Sequence, residues 1–197
     1  AFVHLGGDLG VSNSWRGGIS YFASQPKDRE YQDPLNGLNN SFSGSSRTWI
    51  ADLLWKWAPN GNAKQTNLKL QGEYFRRTES GDLVYDTTTS AQQGSFRNTQ
   101  SGYYAQAVYQ FMPNWRVGYR HDRLSSGSAN IELINNGTLT AADLPLLANF
   151  SPSRNTVMVD WSPSEFSRVR LQYAQDKTRP EATDNQLWLQ YVMSLGA

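Results

Sequence analysis

His121 and Asp122 stand side by side in WRVGYRHDRL (115–124), a pair from which a general base and its orienting carboxylate could be built. Neighbours on a β-strand point to opposite faces, so the two share a site only where the strand has already ended, and no serine partner accompanies them. No catalytic residue is nominated and no enzyme is expected. The chain has two His and no Cys, which removes disulfides, thiolate metal sites and cysteine nucleophiles. His4 and His121 have opposite parity on their strands and are not expected to share an ion. Asp28, Glu30, Asp33, Asp82 and Asp86 are oxygen ligands of the kind Ca²⁺ takes, but acidic residues in long polar connections are ordinarily solvated. Neither a metal nor a cofactor is expected. What remains is a pattern of charge: Arg116 and Arg120 on one segment, Arg168 and Arg170 on another, at every second or fourth position.

Such spacing has meaning only if the elements are strands. In NTVMVDWSPSEFSRVRLQYAQDK (155–177), Val157, Val159 and Trp161 alternate with Thr156, Met158 and Asp160, and after the break SPSEF Val169, Leu171 and Tyr173 alternate with Arg168, Arg170 and Gln172. The same unit recurs at 2–9, 15–24, 48–57, 67–75, 101–111, 115–124 and 185–195. Nine strands result, with no credible long helix. Each runs about ten residues, close to the roughly 9–11 that a tilted strand needs to cross a bilayer. No stretch approaches the roughly 20 apolar residues of a spanning helix.

The connections alternate in length. Residues 10–14, 58–66, 112–114 and 162–166 are short, whereas 25–47, 76–100, 125–154 and 178–184 are mostly long and rich in Ser, Asn, Gly, Asp and Gln. Long structureless loops are uncommon in compact soluble domains but usual on the outer rim of an outer-membrane barrel, opposite short periplasmic turns. Every short turn carries Trp at its edge: Trp15, Trp55, Trp57, Trp115 and Trp161. An indole, apolar in body and polar at its N–H, suits the lipid headgroup level, although it also suits the end of a sandwich core.

Taking the more apolar parity as outward gives Trp49, Ala51, Leu53, Trp55 and Trp57 on one strand, with Leu68, Leu70 and Tyr74 on the next. The opposite parity carries Lys56, Lys69, Glu73, Arg116, Arg120, Asp122, Arg154, Asp160, Arg168, Arg170 and Asp176. A dry core does not hold so many ions, since each costs several kcal/mol unless paired, whereas a water-filled lumen does. Arg116, Arg120, Arg168 and Arg170 form either a cationic ladder favouring anions in transit or the basic halves of ties to Asp122, Asp160 and Asp176. Composition agrees with a wet interior: 38% of the 197 residues are hydrophobic while 13% are aromatic, and the net charge of +1 implies no affinity for nucleic acid.

The blocks AFVHLGGDLGVSNSW, FMPNWRVGYRHDRL, SPSRNTVMVDWSPSEFSRVRLQYAQDK and DNQLWLQYVMSLGA together resemble the C-terminal half of a family of proteobacterial porin-like outer-membrane proteins, often labelled zinc-regulated TonB-dependent outer-membrane receptors. The resemblance implies an antiparallel transmembrane β-barrel with further strands upstream and a His-containing tail ending in an aromatic residue. An odd count of nine agrees, because single-chain bacterial barrels have even numbers and both ends periplasmic. Residues 1–197 are therefore expected to be the C-terminal portion of one larger barrel domain. TonB dependence would call for a plug domain and an N-terminal box, and regulation by zinc would concern expression.

Three functions follow as expectations: a porin-like channel for small hydrophilic solutes or ions, its loop 125–154 folding inward; a barrel scaffold or receptor that anchors or sheathes a partner; and, last, an outer-membrane hydrolase. The expected partners are outer-membrane lipid, the solute and, as porins often form trimers, further copies of the chain.

Overall fold

Alternating apolar and polar residues leave the backbone one arrangement that buries neither charge nor unpaired amide, and that is a sheet. The computed structural model describes residues 1–33, 36–144, 151–179 and 182–194. The strands are β1 (Phe2–Leu9), β2 (Asn13–Ser24), β3 (Arg29–Gln32), β4 (Asn39–Trp57), β5 (Asn67–Tyr85), β6 (Gln92–Met112), β7 (Trp115–Ile131), β8 (Ser153–Ser164), β9 (Ser167–Lys177) and β10 (Asp184–Met193). They form one antiparallel sheet in the order β1-β2-β4-β5-β6-β7-β8-β9-β10, with β3 paired to β4. Among the described residues helix is confined to single turns, including α1 (Glu132–Asn135). The all-β antiparallel fold is as expected. Among the described residues β1 and β10 are not paired with each other, so the sheet is open.

Two expectations change. Among the described residues there are ten strands, not nine, because β3 lies inside the stretch 25–47 read as loop. And β4 to β7 run 19, 19, 21 and 17 residues, well beyond the ten expected. The connection read as 76–100 shrinks to 86–91, where the Asp86 carboxylate accepts hydrogen bonds from Thr88 Oγ1 and the amides of Thr89 and Ser90. Residues 145–150 of the long connection, Pro180, Glu181 and the SLGA tail from Leu195 lie outside the described residues.

The extensions pair because they carry a core of their own. Phe42, Leu83, Phe96 and Ile131, one from each of β4 to β7, are buried together with Leu133, Leu139 and Leu144 from the segment after β7. Phe42 meets Phe96 edge-on at 5.5 Å between ring centres. By strand parity these side chains lie on the same sheet face as Asp52, Glu73 and Asp122, so residues 132–144 fold onto the charged side of the sheet. Polarity therefore inverts along the strands. Towards the short turns β4 shows Trp49, Leu53 and Trp57 outward and Asp52 and Lys56 inward; beyond Trp49 it shows Ser41, Ser43, Ser45 and Arg47 outward and Phe42 inward.

The charged face is also concave. Lys69 on β5 and Arg168 on β9 line one hollow of about 490 Å³, and Thr48 on β4 and Thr178 after β9 line another of about 700 Å³. In a flat sheet strands four apart would lie roughly 19 Å away from each other.

Glu79, buried beside this upper core, accepts from Arg29 Nη1 at 2.8 Å, and Arg77 lies 3.7 Å away. Burial alone would raise its pKa, but the Arg29 hydrogen bond and the charges of Arg77 and Arg29 outweigh it and hold the carboxyl below its ordinary 4.5. A depressed folded pKa means that the stability Glu79 supplies is present above about pH 4.5 and is lost as pH falls through the folded value. On acidification, amides of 79–85 and 92–98 should lose hydrogen-exchange protection before those of β8 and β9, and Glu79→Gln should blunt that early phase. Phe42→Ala should cost about 3–5 kcal/mol of local stability, read as faster exchange in 92–98 and 131–144 with β8 to β10 unchanged.

Candidate functional site

Register places the expected charges in rows across the sheet. One row runs His4, Gly18, Asp52, Glu73, Tyr104, Asp122, Arg154, Asp176 and Asp184, one residue from each strand of the ladder. Another runs Asn67, Gln110, Arg116, Asp160, Arg170 and Gln190. Like charges face each other directly at Lys56–Lys69 and at Asp52–Glu73, an arrangement that is unfavourable unless water reaches it.

Within these rows the arginines divide into two kinds. Arg170 makes a two-pronged contact with Asp160, Nε to Oδ1 at 2.6 Å and Nη2 to Oδ2 at 2.8 Å, and Asp160 is 1% exposed. Arg154 likewise donates from Nε to Asp176 Oδ2 at 2.8 Å. Both are ties between neighbouring strands, one made by an arginine of the expected ladder and the other by Arg154, which lies outside it. Arg120 instead grips Asp122 on its own strand, Nε to both carboxylate oxygens at 2.9 Å, and lies 4.0 Å above the Tyr104 ring. The pairing there runs along β7 and not across strands, because residues two apart share a face.

Arg116 and Arg168 are different. Arg116 Nε donates at 3.1 Å to Gln110 Oε1, a neutral acceptor that also takes Asn67 Nδ2. Arg168 Nε is buried without a hydrogen-bond partner. Among the described residues neither has a carboxylate in ion-pair range, and nor do Lys56 and Lys69. Lys69, Arg116 and Arg168 all line the 490 Å³ hollow. The expected ladder of four is thus two neutralised arginines and two free ones, joined by Lys69.

Two features of the wall were not foreseen. His4 Nε2 lies 2.9 Å from Asp52 Oδ2, reaching over β2 to join β1 to β4. Gly18 lies between them; a methyl group there would overlap the His4 ring and come within 2.7 Å of Asp52 Oδ2, so only glycine leaves the passage open. Parity alone put all three on one face, but the need for glycine appears only once the register is known.

His121 has outward parity and sits 2.8 Å from Asn155 Oδ1, turned away from Asp122. Among the described residues no group of three His, Asp or Glu side chains could hold a metal ion. The five tryptophans all have outward parity. Trp15 lies opposite Trp55, and Trp115 opposite Trp161 with ring centres 6.1 Å apart and planes 24° from parallel.

That outward face is uncovered. Large apolar side chains are exposed on every strand of the ladder: Leu5, Ile19, Leu53, Leu70, Tyr103, Val117, Val159, Leu171 and Leu189, from 40% for Leu70 to 76% for Leu189. Isolated exposed apolar residues are ordinary, but a band continuous over nine strands far exceeds the few hundred Å² typical of a soluble monomer.

No family model matches the chain. No solved structure matches it. It is similar to an uncharacterized protein of Aquifex aeolicus (strain VF5), 28% identical over 200 residues, an alignment that takes in 100% of this chain and 38% of that protein. The chain thus spans under two fifths of the length of the relative it matches.

Removing one half of a buried pair leaves a charge with no partner. Asp160→Asn should lower stability by about 1–3 kcal/mol, seen as a reduced urea midpoint, while Asp160→Asn with Arg170→Gln should recover much of the loss.

Proposed function

We propose that this chain is the wall of an outer-membrane porin-like channel for small hydrophilic solutes or ions. The observation that carries the reading is the uncovered apolar band on all nine ladder strands, backed by a concave face rich in charge. Lipid is the solvent for which such a band is built, since a soluble protein would have to cover it. From Trp49 to Trp57 the band measures roughly 27 Å along β4, and at the usual 35–45° tilt it stands about 20 Å tall, near the ~25 Å of outer-membrane barrels. Tryptophan at the short turns fits the headgroup level there.

The open edges β1 and β10 bear on the domain reading. Unpaired backbone groups are not tolerated in hydrocarbon, so in a membrane these edges pair with further strands, and 197 residues make up part of a larger barrel. The match to a relative of much greater length supports this, as does the resemblance of the four sequence blocks to porin-like outer-membrane proteins.

Selectivity follows from the unequal arginines. Arg120 and Arg170 are spent on Asp122 and Asp160 and tie the wall, whereas Lys69, Arg116 and Arg168 present uncompensated charge to the hollow. Charged walls of one sign favour passage of the other, so the channel prefers anions. Residues 132–144, folded onto the same face, narrow the path above.

Single-channel recording of the full-length protein in a planar bilayer tests both claims. Stable conductance steps with an anion-biased reversal potential are expected. Arg116→Ala and Arg168→Ala should each reduce that bias, whereas Arg120→Ala combined with Asp122→Asn, which removes a neutral pair, should change it less. Silent insertion of correctly folded protein would sink the open-channel reading.

A further inference from the structure

Carboxylates are distributed unequally between the two faces. On the concave side Arg29, Arg77, Arg120, Arg154 and Arg170 each lie within ion-pair range of Asp or Glu. On the outward side the strands carry Arg47, Arg76, Arg97, Arg123 and Lys177, all exposed, and among the described residues none of them has an ion pair or hydrogen-bonding partner for its side chain. Their placement is as informative as their freedom. By parity no Lys or Arg of β1 to β10 points outward on the short-turn side of the Ala51 row, so these five are confined to the far margin of the apolar band, Arg123 and Lys177 in the Ala51 row and Arg76 in the Trp49 row, and to the rows beyond it.

The border can be followed residue by residue. Arg76 lies opposite Trp49, and Arg123 lies opposite Tyr103 in a row that continues through Ser153 to Lys177. Arg47 sits one row above, opposite Thr78, and Arg97 one row further, opposite Ser80. The outward positions of these rows hold no carboxylate; the acids of this face, Asp82 and Glu30, lie higher, at the rows of Ser43 and Ser41. Arginine stacked directly above tyrosine and tryptophan offers forked donors to an anion and an apolar floor to whatever is joined to that anion.

We infer that this collar binds lipids whose headgroup is a phosphomonoester, their phosphates held along it by Arg47, Arg76 and Arg123 and their acyl chains laid down the band below. A free inorganic anion would use only the upper half of the site, whereas an amphiphile matches both the cationic row and the apolar surface it adjoins. The inference rests on the membrane reading above, and it adds that the contact with lipid is selective and one-sided.

The test uses full-length protein folded in detergent and equilibrated with equal amounts of phosphatidic acid and phosphatidylcholine, with retained lipids counted by native mass spectrometry. Wild type should keep phosphatidic acid in preference. The variant R47Q/R76Q/R123Q should lose that preference by about fivefold for each arginine at low salt. Lys64→Gln, a cation on the short-turn side, should leave it unchanged. Raising salt should erode the preference of the wild type itself, a reading independent of how well the triple variant folds. Equal retention of the two lipids by wild type, in protein shown to insert into vesicles, overturns the collar and leaves the membrane reading standing. Failure to insert into any vesicle overturns both.

Discussion

Register is the constraint on which the rest of this structure depends. Side chains alternate with a period of two, so a slip of one residue between any two strands would carry Asp52, Glu73, Arg154 and Asp176 to the apolar face and bring Leu53, Val157 and Tyr173 inward. The row from His4 to Asp184 crosses nine strands without losing alignment, and the bulges fall outside it, between Thr99 and Ser101 and beside the short turns. Side chains reinforce what the backbone ladder defines: Arg170 to Asp160 and Arg154 to Asp176 each join residues directly opposite. The His4–Asp52 contact does the same across an intervening strand.

The charges follow from that register and in turn limit it. Asp160 and Asp176 are almost fully buried, and each is opposed by an arginine able to supply two donors in a fixed fork. Isolated, either carboxylate would cost several kcal/mol. Where partners are absent, as at Lys56 and Lys69, exposure to water replaces them. Of the ten carboxylates carried by its strands the molecule places eight on one face, which leaves the opposite face, at the margin of its apolar band, cationic.

Much of this is legible in the amino-acid order, and what is not has identifiable causes. The strands over 101–111, 115–124 and 155–177 and the two faces can be read because apolar residues there are large and strictly alternate. The extensions of β4 to β7 cannot, since SFSGSSR and FRNTQSG look like loop by composition; their apolar members Phe42, Leu83 and Phe96 are single residues that gain meaning only when register aligns them over Leu133 and Leu144. Arg154 stood in the inward set, but its tie to Asp176 needed pairing information. Nor does sequence tell Arg120 from Arg116, because which arginine meets a carboxylate is settled by rotamer and neighbour.

The inversion of polarity along β4 to β7 has a mechanical side. In a bilayer, the line between Leu53 and Arg47 is a depth gauge drawn on the protein itself. Shifting the sheet inward by two residues, roughly 6–7 Å along a strand, would press Arg76 and Arg123 into hydrocarbon; shifting it outward by as much would lift Leu53 and Ile19 into water and leave the indoles of Trp115 and Trp161 short of the headgroups. Each displacement meets a restoring force from a different chemistry, desolvation of charge in one direction and hydration of apolar surface in the other. On the proposed membrane reading the wall is thereby held at one height, and the constriction proposed for its inner residues would keep a constant level.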